Sequence, residues 1–337
     1  MFLLNKFIYF FIILILLSFN KVNADEENSA SIFVYHRFGE NKYPSTNVKM
    51  SQFNKHIDEL ISNNYNVLPL EEIVNSIIEK RKLPEKTIGI SIDDAFMSIY
   101  ENAWPILKNK EIPFTVFVST GPVNSNSKNY MNWRQIKELS DSGVTIGHHT
   151  VNHLHLVDKD KELIIDEIEN ASNDFMKNLG YVPSLFAYPY GEYNLKIKEI
   201  TKQYFKASFG QQSGGLYNEI DLYELPRFSM NERYGDIKRF KFAANSHGLR
   251  LKDLLPNDKS IKDINPPMLG FTLIDDIENT IKCYPSHGIK SNLTKIGKSR
   301  IEVRFDKEFP KGRTRVNCTV NDKGKFFFIA WRRPALL

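Results

Sequence analysis

The chain has 337 residues, of which 42% are hydrophobic, 12% aromatic and 25% charged. This is a globular composition, and it excludes collagen-like, disordered and multi-span membrane chains. Its 45 basic and 40 acidic residues leave a net charge of +5, with no run of Lys and Arg long enough to track a phosphate backbone, so no nucleic-acid partner is expected.

Residues 1–20 read MFLLNKFIYFFIILILLSFN, an apolar run after one lysine, and Val22-Asn23-Ala24 and the acidic Asp25-Glu26-Glu27 follow. The run is short for the about 30 Å of hydrocarbon in a bilayer, and its layout is that of a signal peptide over 1–24, cut after Ala24. The expected location is therefore extracytoplasmic, periplasmic or secreted, where disulfides persist. An uncleaved segment would instead tether the protein to a membrane.

From 31 to about 230, short apolar runs alternate with amphipathic stretches. Strands are expected over 31–38, 87–93, 114–119, 144–147, 185–187 and 205–209. Helices are expected over 51–62 (with Ser51 as N-cap), 70–81, 96–110, 133–142, 159–179 and 194–203. About seven β-then-α units in this order predict a parallel sheet closed as a barrel. After a break at Asn265-Pro266-Pro267 the pattern changes to period-two alternation, as in 301–306 and 316–320, and this predicts a small antiparallel β-sandwich over 260–337 behind a barrel over 25–255. Cys283 and Cys318 fall on inward faces of that sandwich; either they pair or they remain two buried thiols.

Three constellations sit at strand ends. Asp93-Asp94 follows the 87–93 strand, and two adjacent carboxylates are costly unless a cation or a shared proton compensates. A regular strand would point them to opposite sides, so both enter one site only if the chain leaves the strand there. Asp94 could otherwise simply cap the next helix. The similar pair Asp275-Asp276 lacks such a setting and reads as surface. Next, His149 and His153 lie four apart, so a helical turn or a tight loop puts both imidazoles on one side; neighbouring His148 and His155 read as packing or solvent-facing. Two histidines and one carboxylate leave coordination positions open on a metal, as a hydrolytic site requires. Last, Pro189 and Gly191 flank Tyr190 in a tight turn that could offer a backbone N–H to an oxyanion, or be an ordinary loop.

In this order, Asp93-Asp94, His149-Thr-Val-Asn-His153 and Pro189-Tyr190-Gly191 resemble the signature motifs of the polysaccharide deacetylases, carbohydrate esterase family 4, over roughly 31–230. The resemblance implies a distorted (β/α)7 barrel and a hydrolase that removes N-acetyl groups from a polysaccharide containing N-acetylglucosamine. It implies Asp93 as general base, and Asp94, His149 and His153 as ligands of one divalent metal, zinc or else cobalt or nickel. It further implies Tyr190 as an oxyanion donor, with Pro189 and Tyr190 touching substrate. The opening Val34-Tyr35-His36-Arg37-Phe38 is similar to the members that act on poly-N-acetylglucosamine, which places His36 as general acid; His247 is its rival. The family's usual Gly after the Asp pair is here Ala95, and its usual Arg is here Ala187. Arg227 is the candidate to orient Asp93 instead, with a surface salt bridge as the alternative. The competing readings are an O-acetyl esterase or other acyl hydrolase, and a degenerate barrel that binds glycan without turnover.

Overall fold

The structure is a computed structural model and describes residues 28–260 and 264–334; the expected signal peptide lies outside the described residues. Among them, no helix is long and apolar enough to cross a membrane.

The first part is a curled, mainly parallel sheet. Its strands β1 (Ala30–Tyr35), β2 (Thr87–Asp93), β3 (Thr115–Val118), β4 (Thr145–His148), β5 (Leu185–Ala187) and β6 (Ala207–Phe209) pair in sequence order, all parallel. A seventh strand, β7 (Phe228–Ser229), pairs with β1 on the other side, and just before it Leu225 bridges to Phe209 of β6. The segment 225–229 thus spans the gap between the last strand and the first, which gives the half-barrel seven parallel strands. Residues 215–216 and 66–67 add short strands to β1 and β2. Every residue of β1 and β2 is buried, as parallel strands covered on both faces must be.

Helices α1 (Met50–Ser62), α2 (Leu70–Ile78), α3 (Trp104–Asn109), α4 (Trp133–Asp141), α5 (Lys161–Leu179), α6 (Leu195–Thr201) and α7 (Ile237–Ala244) complete this part. Two expectations need correction. The N-cap of α1 is Lys49 rather than Ser51, because Gln52 reaches back and its Oε1 accepts the Lys49 N–H at 3.1 Å. The helix expected over 96–110 is a π-helical turn at Ile99–Ala103 followed by α3, where Pro105 has no amide hydrogen to donate to the preceding turn.

The C-terminal part is two four-stranded sheets packed on one apolar core. One sheet runs in the order β8 (Ser246–Gly248), β15 (Lys325–Arg333), β14 (Thr314–Asp322), β11 (Lys282–Pro285). The other runs β9 (Leu251–Leu255), β10 (Leu269–Leu273), β13 (Arg300–Phe305), β12 (Ser291–Ile296). Val316, Cys318 and Val320 point inward on β14. Cys283 and Cys318 are directly opposite on β11 and β14 and form a disulfide. These sheets begin at Ser246, ahead of the Asn265-Pro266-Pro267 break. They dock on the half-barrel: Ser31 of β1 donates to the carbonyls of Ala243 and Ser246 at 2.7 and 3.2 Å, and Phe228 packs edge-on against Phe328.

Candidate active site

The site lies at the carboxyl ends of β2, β4 and β5, the rim where (β/α) barrels gather their loops. Strand β2 ends at Asp93, and the backbone then turns left-handed at two consecutive residues, Asp94 with φ +78° and Ala95 with φ +57°. That departure points both carboxylates into one site. The Asp94 N–H donates to the carbonyl of Phe117 at 3.0 Å, and the His149 N–H to that of Val118 at 3.1 Å. The end of β3 therefore sets the height of both residues.

Asp93 is wholly buried, and so is its partner Arg227. The guanidinium grips the carboxylate with two parallel bonds, Nη1 to Oδ1 at 2.7 Å and Nη2 to Oδ2 at 2.9 Å, the fork-to-fork geometry of a strong charge-assisted pair. Its remaining donors go to the Gly210 carbonyl at 2.8 Å and Ser91 Oγ at 3.1 Å. Arg227 comes from the segment that spans β6 and β1, so barrel closure and the orientation of Asp93 share one residue. Burial works against ionisation of Asp93, but the facing positive charge of Arg227 outweighs it and holds the carboxyl below its usual range.

His149 and His153 are brought together by a loop, not a helix: Thr150 and His153 both have positive φ, +65° and +52°. Glu167 of α5 clamps this loop by accepting from the Val151 and Asn152 amides at 3.2 and 2.8 Å. Asp94 Oδ1 faces His149 Nε2 at 3.5 Å and His153 Nε2 at 3.4 Å. One ligand atom from each of Asp94, His149 and His153 lies within 4.8 Å of the others. Burial opposes ionisation of Asp94 too, and the two imidazoles overcome it, so its carboxyl is held far below the usual range.

The donor set fits a divalent cation on an observation independent of spacing. His149 Nδ1 lies 2.6 Å from the Ala187 carbonyl, which can only accept, so the proton sits there and Nε2 presents its lone pair. That Nε2 is buried with no hydrogen-bond partner in the protein, and it faces a carboxylate. A carboxylate and an imidazole nitrogen facing each other call for positive charge between them, from a cation or from a second proton on His149. Burial works against that proton, but Asp94 and Asp93 hold the imidazole above its usual range.

His36 lies at the same rim, its Nε2 4.0 Å from Asp93 Oδ2, and the Gln211 amide nitrogen stands 3.5 Å from both. His247 is on β8 against Phe327, away from the cleft wall. Pro189-Tyr190-Gly191 is a single 3-10 turn with Tyr190 left-handed at φ +58°. Gly191 is also left-handed, and a Cβ there would collide with the backbone nitrogen of Gln211. His148 is wholly buried among Phe175, Phe186 and Phe205, and that burial pushes its imidazole down to about 3, so it is neutral packing. His155 is neither packing nor solvent-facing: its ring lies flat on Tyr190 at 3.7 Å and its Nδ1 meets Glu192 Oε2 at 2.7 Å. Of the Asp275-Asp276 pair, Asp276 is exposed and Asp275 is half-buried and ion-paired with Arg250 at 3.2 Å.

Sequence reasoning passed over Gln211, Glu167 and Glu192. Glu167 alone left a trace, as an acid on the apolar stripe that α5 forms with Ile164, Ile168 and Ala171. The rim opens into a cleft of about 760 Å³ whose far wall is the C-terminal sandwich.

Residues 80–205 match the family model described as polysaccharide deacetylase. A poly-beta-1,6-N-acetyl-D-glucosamine N-deacetylase of Staphylococcus epidermidis is 29% identical over 235 residues, covering 62% of this chain and 81% of the relative. The Staphylococcus aureus protein of the same name is 27% identical over 229 residues, covering 64% and 79%. Among solved structures, the deacetylase PplD of Streptococcus pyogenes, in complex with acetate, superposes with TM-score 0.60 at 21% identity, covering 65% of this chain and 99% of that one. IcaB from Ammonifex degensii superposes with TM-score 0.57 at 24% identity, covering 64% and 97%. The half-barrel is thus a fold shared with these deacetylases, and about a third of this chain has no counterpart in either structure.

Proposed function

We propose that the chain, whose residues 80–205 match the polysaccharide deacetylase family, hydrolyses N-acetyl groups from a poly-β-1,6-linked N-acetylglucosamine polymer outside the cytoplasm. The reading rests on one observation: an Asp-His-His donor set, His149 buried and Asp94 and His153 half-buried, stands beside a buried carboxylate held by Arg227, on the floor of an open cleft. The half-barrel would be the catalytic unit and the sandwich an accessory one, the boundary between them falling at Ser246 rather than after residue 255. The names of the staphylococcal relatives support the polymer.

Asp94, His149 and His153 would hold the divalent cation, zinc by their two-nitrogen, one-carboxylate chemistry, with cobalt or nickel as substitutes. That cation supplies Lewis acidity toward the acetyl carbonyl and lowers the pKa of water. Asp93 stays ionised beside Arg227 and takes the proton of the attacking water; the fixed guanidinium keeps its carboxylate aimed and prevents it from swinging to the cation. Tyr190, pinned by its left-handed turn, offers a backbone N–H to the developing oxyanion, a contribution of roughly 2.7–4 kcal/mol for one such donor. His36 stands at the rim beside Asp93 and delivers the proton to the departing amine. The products are acetate and a glucosamine unit.

The test is acetate release from β-1,6-linked N-acetylglucosamine oligomers, with zinc, cobalt or nickel supplied, measured beside acetylated xylan and peptidoglycan. Acetate and free amine in equal amounts, lost on chelation, is the expected result. Faster release from xylan would make the enzyme an ester hydrolase, and binding without release under any metal would make it a glycan-binding barrel.

A further inference from the structure

The sandwich wall of the cleft is unusual in charge. Arg313 and Arg315, two apart and both exposed, flank Thr314 at the start of β14, and Arg332 of β15 is directly opposite Arg315 in the antiparallel ladder. From the barrel side, Arg233 and Arg239 meet them: the guanidiniums of Arg233, Arg239 and Arg315 all lie 4.9–5.8 Å from the Tyr234 ring centre. Arg313 in turn stands 5.1 Å over the ring of Tyr190, so the row of guanidiniums begins at the reacting site. All five line the cleft, whose only acidic lining residue among the described residues is Asp94. Arg313 is ion-paired at 2.6 Å with Glu192, whose charge also acts on Arg332. Arg239 donates to the Ser229 and Tyr234 carbonyls at 3.0 and 2.8 Å, which leaves Arg233 and Arg315 without a carboxylate among the described ion pairs.

Such an arrangement costs stability in the free protein. Like charges directly opposite on a ladder repel, and neighbouring guanidiniums reinforce one another's field in a cleft with apolar walls. Burial and the nearby Arg313 bring Arg332 down to about 10, and burial with Arg315 does the same to Arg239. An anion seated among the forks would offset these repulsions with attractions to each guanidinium, which matches carboxylate and phosphate geometry with two parallel bonds.

We propose that this arginine wall is a recognition subsite for an anionic group, carboxylate or phosphate, carried by the same polysaccharide whose acetamido sugar sits at Asp94, His149 and His153. The inference rests on the deacetylase reading for the acetamido backbone and deepens it by placing acidic substituents on that backbone. Because the row is continuous with Tyr190, the anion belongs to a sugar near the reacting one. The C-terminal sandwich then acts as a specificity wall, selecting chains that bear acidic residues or substituents over wholly neutral ones.

The experiment is direct binding by calorimetry, which does not depend on turnover. Three hexasaccharides are compared on the full chain: neutral β-1,6-linked N-acetylglucosamine, the same backbone bearing carboxymethyl groups, and the same backbone bearing phosphate groups. At least one anionic ligand should bind about tenfold tighter than the neutral one at about 0.05 M salt, and this preference should shrink at about 0.5 M salt. Which ligand gains names the anion. In Arg315→Gln the preference should fall towards one while the Tm holds or rises, because a like-charge pair has been relieved. Equal affinity for all three ligands overturns the proposal. So does an Arg315→Gln protein that loses Tm and weakens all three alike, which is what a purely structural arginine would give. Failure of the deacetylase reading shows separately, as absence of acetate from every substrate while the binding preference persists.

Discussion

Two clusters of buried charge in this fold are built to opposite plans. In one, Glu224 takes Lys198 on one carboxylate oxygen and Lys259 on the other, Lys198 also bonds Asp221 at 2.8 Å, and Lys259 donates to the Tyr193 hydroxyl at 2.8 Å. Every charged head there has a protein partner, and the cluster ties α6 to the chain that runs into the sandwich. In the other, Asp93 is saturated by Arg227, yet Asp94, His149 and His153 converge on a point that no protein atom completes. The lesson is that buried charge alone does not mark function. A cluster closed on itself is structural, and one that keeps an orphaned atom beside a cleft is held ready for something the chain does not supply.

The largest effect that would break this contrast is expected at Asp93. Asp93→Asn should lower acetate release by about 10²–10⁴, the range for a general base, while metal content measured by elemental analysis stays at the wild-type level. Loss of metal together with activity would move Asp93 among the ligands. Next comes Arg227→Met, which strands a wholly buried carboxylate and should destabilise the fold by about 3–5 kcal/mol in urea unfolding. It should also cut turnover per folded molecule, because Asp93 is then free to rotate. Unchanged turnover would reduce Arg227 to a strut of barrel closure.

The contrast was partly legible in the sequence. The strand 87–93 was readable to the residue, since β-branched Thr87, Ile88, Ile90 and Ile92 are separated only by small Gly89 and Ser91 and stopped by an acidic pair. So was the need for the chain to leave the strand at Asp94, met by two successive left-handed residues. The convergence of Asp94 with His149 and His153 followed from strand-end placement together with a family resemblance; spacing alone left it open. What stayed hidden depends on contacts far apart in the chain. Glu192 and Arg313 are 121 residues apart; the Asp93–Arg227 pair, 134 apart, was a candidate only through a departure from the family pattern, with a surface salt bridge as its alternative. No local pattern shows which arginine reaches which acid. The seventh strand was missed for the related reason that it is two residues long, too short for any period to register.

The structural cluster yields the sharpest control. Glu224→Gln should destabilise by a similar amount, about 3–5 kcal/mol, but leave turnover per folded molecule unchanged. Burial would raise the Glu224 carboxyl, but Lys259 and Lys198 outweigh it and hold it at about 2, against an ordinary 4.5. A carboxyl whose folded pKa is depressed adds stability that is complete above its unfolded value and is lost as pH falls towards the folded one. The wild type should therefore lose stability steeply between about pH 4.5 and about pH 2, with Glu224→Gln flatter across that window. Equal acid slopes for the two proteins would show that the cluster is not satisfied as the hydrogen bonds imply.

The smallest expected effect tests whether the reacting site is stiffened from the side facing the sandwich. His155 lies flat on the Tyr190 ring and is linked through Glu192 to Arg313, so a ring stack, a hydrogen bond and an ion pair hold the turn proposed to offer its N–H to the oxyanion. Removing the stack with His155→Ala should cost about 0.5–1.5 kcal/mol. If that energy is spent on positioning Tyr190 for the transition state, it should appear as a fall of roughly 2- to 10-fold in kcat with KM little changed. His155→Phe keeps the flat ring and should recover most of the loss, whereas a role through the Glu192 ion pair would leave Phe as poor as Ala. A kcat that ignores both substitutions would mean that the left-handed turn at Tyr190 is fixed by Pro189 and Gly191 alone, and that the sandwich touches the site without shaping its chemistry.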